Sequence, residues 1–101
     1  MGNRGAIAHQ LESFAFLALL RGYRLHAARL FGAAESLRVA AGVAMLPVER
    51  EEFEAAVAQM RLDADGRAID SAWAEGRQMR AEAAVEFAMA LVETQQDQLR
   101  A

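Results

Sequence analysis

The 101-residue sequence contains no cysteine, no lysine and a single proline, Pro47. The first absence removes disulfides and thiolate metal sites. The second removes the phosphate-gripping lysine of a nucleotide-binding loop, and no Gly-x4-Gly-Lys-[Ser/Thr] stretch occurs. Long hydrophobic runs are lacking too. The longest, Phe14 to Leu20, falls far short of the roughly 20 residues that span a bilayer. The first five residues, Met1 to Gly5, have none of the apolar core of a signal peptide. A soluble cytoplasmic chain without membrane contact is expected. Almost no stretch alternates polar and apolar β-branched residues, which leaves little ground for strands.

What is present is alanine and helical spacing. The hydrophobic fraction of 54% suffices for the core of one domain, but much of it is alanine, which buries little area. Phe14, Phe16, Leu30, Phe31, Phe53, Trp73 and Phe87 must therefore anchor the packing. The net charge of −3 conceals an asymmetry. Five arginines face two acids through Met45, and six face twelve from Leu46 onward, giving +3 and −6. Such a distribution would suit self-association or head-to-tail stacking, but ordinary solvated helix faces are the simpler account. Overall acidity argues against direct nucleic-acid binding.

Five helices are expected in one domain covering residues 1–101. In the first, Ala6 to Arg21, Ile7, Leu11, Phe14 and Ala18 share a face, and Phe16, Leu17, Leu19 and Leu20 spread the apolar surface around it. Gly22 ends that helix, and a second from Arg24 to Ala41 closes at Gly42. Its inner face reads Ala27, Leu30, Phe31, Ala34, Leu37 and Ala41. Residues 6–42 thus form a first hairpin. Pro47 opens an intervening helix over residues 47–62, with Glu49, Glu51 and Glu52 favoured by its dipole and Phe53, Val57 and Met60 inward. Asp63-Ala64-Asp65-Gly66 breaks the pattern, and Asp65 caps a short fourth helix. That helix buries Ile69, Ala72 and Trp73 and stops at Gly76. A fifth, Arg80 to Glu93, completes a second, shorter hairpin over residues 66–93, and residues 94–101 fray.

The two hairpins share an offset pattern. Ala27, Phe31 and Ala34 follow Gly22 at the distances by which Ala81, Val85 and Ala88 follow Gly76. Upstream, Ala18 matches Ala72 and Ala15 matches Ile69. A glycine turn, a small residue for close approach and a larger one to fill the groove would build each pair. The fold class read from this is all-α, an array of antiparallel helical hairpins.

Leu11, Phe14, Ala15, Ala18, Gly22, Ala27, Phe31 and Ala34 resemble the key positions of a tetratricopeptide repeat, with Leu11 and Ala18 where that family often has tryptophan and tyrosine. The stretch Ala27 to Arg38, then Pro47-Val48-Glu49-Arg50, then Ala72 to Arg77 is similar, in the same order, to the C-terminal helical segment of large bacterial ATPase regulators of the LuxR and AfsR types. Asp63 to Gly66 replaces a more apolar link, and Arg80 stands where a Ser or Thr cap is common. The resemblance implies a non-enzymatic interaction or scaffold region of a signalling or transcriptional regulator. Its partner would be protein, either a second copy or neighbouring repeats.

Candidates for chemistry are few. In a calcium-loop register Gly66 at position six would put Arg61 at one and Ala72 at twelve, where oxygen ligands are required. His9, Glu12, His26 and Glu35 do not make a convincing metal set. Glu35 and Arg38, three apart, are placed to pair along the second helix. Ser13, Ser36 and Ser71 lie in no nucleophile motif. No enzyme, cofactor or metal is expected. The candidate interaction surface is Phe16, Leu17 and Leu20, where the first helix lacks the polar face that ends a repeat array. Arg21, Arg24 and Arg29 form a basic cluster beside it. The alternative reading is a free-standing homodimeric bundle sensing a small apolar ligand in a closed pocket of Phe14, Phe53 and Trp73.

Overall fold

The computed structural model describes residues 4–62 and 65–100, with side chains as far as Glu93. Its described residues form five α-helices and no β-strand: α1 (Arg4–Leu20), α2 (Arg24–Ala41), α3 (Pro47–Leu62), α4 (Gly66–Gln78) and α5 (Ala81–Arg100). The chain is all-α, as its spacing predicts.

Local chemistry sets the ends of these helices. Gly22 and Gly42 take left-handed φ values of 83° and 69°. At the first, Gly22 N–H donates to Leu19 O at 3.0 Å and Tyr23 N–H to Ala18 O at 2.9 Å. At the second, Gly42 N–H donates to Val39 O and Val43 N–H to Arg38 O. Both are Schellman endings, and both need a residue without a Cβ penalty at positive φ. At α3 the Glu49 carboxylate reaches back to accept from Leu46 N–H at 2.9 Å, the reciprocal half of a capping box. Asp65 caps α4 by accepting from Arg67 N–H at 3.0 Å. Asp63 and Ala64, the start of that turn, lie outside the described residues.

Helix α2 is the central rod. It packs along α1 on one side and α4 on the other, while α5 crosses α1 and α2. Ala27, Ala28, Leu30, Phe31, Gly32, Ala33 and Ala34 are all buried on it, so α2 is enclosed around most of its circumference. Ala41, at its end, is exposed. Phe31 is the hub of an aromatic cluster. Phe16 of α1 and Phe53 of α3 meet it edge-on, each at 5.3 Å, and Trp73 of α4 stacks on it at 5.8 Å. These geometries are the favoured ones for aromatic rings.

Three expectations need correction. Gly76 does not stop α4, which continues to Gln78. It is buried inside the helix, where a Cβ would overlap the backbone carbonyl of Arg29. Gly32 stands in the same relation to the carbonyl of Trp73, so α2 and α4 cross with a glycine of each against the main chain of the other. The match between Gly22 and Gly76 is consequently one of sequence offset, not of structure. Secondly, α4 and α5 do not pack together as a second hairpin: α4 lies on α2, and α5 on α1 and α2. Ala84 and Ala88 are fully buried, but Val85, the counterpart of Phe31, is 37% exposed. Finally, α5 runs on to Arg100 instead of ending at Glu93. Thr94 to Arg100 contains no glycine or proline, so nothing in it breaks a helix already begun.

Candidate functional site

The six residues expected at the interaction surface separate into distinct places. Phe16 is half-buried in the aromatic cluster, so it belongs to the core. Leu17 and Leu20 are open, at 48% and 82% exposure. Arg21 is exposed at the α1 terminus, Arg24 is half-buried at the start of α2, and Arg29 is committed elsewhere. Its Nε donates to Glu75 Oε1 at 2.8 Å, and its guanidinium lies 6.0 Å from the centre of the Phe87 ring. The basic cluster therefore does not converge on one ligand, because Arg29 ties α2 to α4 and α5.

Among the described residues, two of the larger concave regions bear on function. The first is a groove of about 490 Å³ between α1 and α5, lined chiefly by Leu11, Phe14, Leu17, Val85 and Met89, with Gln10 and Ser13 at its edge. Leu17 and Met89 are each 48% exposed there. Its walls follow from helical spacing: Gln10, Ser13, Phe14 and Leu17 recur on one side of α1, and Val85 and Met89 on one side of α5. Leu17 was legible in the sequence as open surface. Val85 and Met89 were not, because the offset pattern directed Val85 inward.

The second region runs beside α3 as two adjoining hollows of about 410 and 520 Å³, which share Glu35 and Phe53. Six of its eight charged side chains are paired within the molecule, Arg50 and Glu54 being the other two. Arg38 Nε and Nη2 donate to the two oxygens of Glu12 at 2.6 and 2.8 Å, with 10% and 7% of the side chains exposed. That bidentate bond, with the Glu12 and Glu49 charges, holds the guanidinium above its usual pKa against the opposing effect of burial. Glu49 lies 3.9 Å from Arg38 Nη2 and 3.7 Å from His9 Nδ1. Glu35 accepts from Arg77 Nε at 2.6 Å and Trp73 Nε1 at 3.2 Å, and Arg61 donates to Asp70 at 2.5 Å. The expected pairing of Glu35 with Arg38 along α2 is thus replaced by two bonds between helices. These pairs link α1, α2, α3 and α4 and fix their register.

Among the described residues no group of three or more His, Asp or Glu side chains converges to hold a metal ion. Ser13 Oγ donates to the His9 carbonyl one turn back at 3.2 Å, an ordinary helical bond. Among the described residues, Phe14 does not share a hollow with Phe53 and Trp73, the three walls of the alternative reading. Phe53 and Trp73 pack on Phe31, whereas Phe14 lines the α1–α5 groove. No helix among the described residues is long and apolar enough to cross a membrane. Comparison with protein-family models, with curated proteins and with solved structures returned no match.

Proposed function

We propose that this chain is a non-enzymatic protein-interaction module, of the kind its sequence resembles at the C-terminal end of bacterial LuxR- and AfsR-type ATPase regulators. The observation that carries the reading is the apolar groove between α1 and α5, where Leu17, Val85 and Met89 remain exposed. Scattered exposed apolar residues need no explanation, but a concave row of them supplies a dry seat for a partner. The charged hollow beside α3 works in the opposite sense, since its ion pairs bind helices to each other and leave few polar groups aimed at a substrate.

The mechanism is docking. The packed α1–α2–α4 core holds one wall of the groove, and α5 supplies the other. A photo-crosslinking residue at Leu17, compared with one at exposed Gln59 on α3, tests this in an extract of the native host. Specific protein adducts from Leu17 alone are expected. An equal pattern from both positions, or none from Leu17, would count against the module. A ligand-sensing bundle finds less support, because its three proposed wall residues do not surround one cavity.

A further inference from the structure

We infer that the α1–α5 groove is closed by the same groove of a second copy of this chain, with a two-fold axis laying α1 of each copy on α5 of the other. The inference rests on the interaction-module reading and names its partner. Its basis is the charge on the two walls.

The only acid on α1, Glu12, is turned inward and bonded to Arg38. The basic group near the groove is Arg21, exposed at the C-terminal end of α1, whereas His9 faces Glu49 of α3 and Arg4 lies on another side of the helix. Arg21 comes four residues after Leu17, on the groove side of the helix. The wall made by α5 is the reverse. From Ala81 to Glu93 it carries Glu82, Glu86 and Glu93, all exposed, and no basic residue. Glu82 precedes Val85 by three positions and Glu93 follows Met89 by four, so acids bracket the apolar pair along its stripe.

A partner of a single sign would be attracted by one wall and repelled by the other. The groove itself, turned through a two-fold axis, offers an acidic wall to α1 and a basic end to α5. An isologous contact is self-complementary in this way. Its size also sets its strength. The lined stretch runs only from Gln10 to Leu17 on α1 and from Val85 to Met89 on α5. The two faces together bury well under the roughly 1,000 Å² of a stable specific interface, so the dimer is weak, reversible and sensitive to salt.

Sedimentation velocity of the whole chain, from about 5 to 500 μM and at about 0.05 and 0.5 M salt, tests the pairing. The expected result is a mass rising with concentration from 11.0 kDa to twice that value, with weaker association at high salt. Leu17→Asp should weaken pairing at least about tenfold, since it puts a charge into the apolar seat. Arg21→Glu should weaken it several-fold, and adding Glu82→Arg and Glu93→Arg to that variant should restore it. All four positions are exposed, so unchanged helical circular dichroism verifies folding. A chain of 11.0 kDa at every concentration overturns the inference, as does a dimer indifferent to Leu17→Asp. Crosslinks from Leu17 to a foreign protein, with none between copies, overturn the two-fold pairing while the module reading stands. No specific crosslink at all removes both.

Discussion

Arg38 closes on Glu12 through two parallel hydrogen bonds of 2.6 and 2.8 Å, and the pair is almost wholly buried between α1 and α2. The fork of a guanidinium matches a carboxylate in one orientation, so the pair locks helix register as well as contributing attraction. Removing Glu12 leaves the Arg38 guanidinium without its bidentate acceptor and with only the more distant Glu49. Glu12→Ala should cost about 3–5 kcal/mol in urea unfolding, whereas Glu12→Leu with Arg38→Met should recover most of that loss. If the single variant unfolds at the native midpoint, the ion pair does not hold the hairpin.

The crossing of α2 and α4 gives a second test. Gly32 and Gly76 each face a backbone carbonyl, of Trp73 and Arg29, and a main-chain atom cannot swing aside as a flexible side chain would. Alanine is the better helix former by about 1 kcal/mol, so an uncrowded glycine would gain from the change. Here the overlap forces the helices apart. Gly32→Ala and Gly76→Ala should each destabilise by about 2 kcal/mol and lower the melting temperature by about 8–16 °C. A rise in melting temperature would show that the crossing has slack.

The glycines also show where sequence reasoning succeeded and where it stopped. Gly22 and Gly42 were legible because each follows an apolar-periodic segment and can take a left-handed φ, a local property. For the same reason Pro47 and Asp65 marked helix starts correctly. Gly76 shares the residue type but serves a contact between helices far apart in the chain, which local pattern cannot show. Glu35 and Arg38 repeat the lesson. Their spacing suggested a pair along α2, yet their partners come from α4 and α1, helices whose packing on α2 the spacing does not reveal. On the interaction surface, Leu17 was visible as apolar excess on α1, but the α5 wall depended on a packing arrangement that the offset pattern misdirected.

Trp73 is where packing and polarity meet. It is 9% exposed, stacks on Phe31, meets Phe53 edge-on at 5.8 Å and donates through Nε1 to Glu35. Trp73→Ala should cost about 3–5 kcal/mol, since the ring fills the join between α2, α3 and α4. Trp73→Phe should cost less, because much of the ring area is kept and the Glu35 hydrogen bond, worth about 1 kcal/mol, is lost. Equal losses in the two variants would assign the role to the hydrogen bond instead of the ring.

His26 provides a dependence on pH. Its ring stacks on Phe87 of α5 at 5.2 Å with 11° between planes, and meets Tyr23 edge-on. Burial, and secondarily the Arg29 charge, lower its pKa from the usual 6.5. The folded chain therefore binds this proton less readily than the unfolded chain. Stability from this group is complete above 6.5 and declines as pH falls through 6.5 toward the depressed value, because protonation favours the unfolded state. Melting temperature should fall modestly between about pH 7.5 and 5.5, a range above ordinary carboxylate titration. His26→Phe keeps a ring on Phe87 but cannot take up a proton, so it should flatten that decline while leaving the helix content unchanged. If His26→Phe shows the same slope as the native chain, the dependence does not arise from this ring.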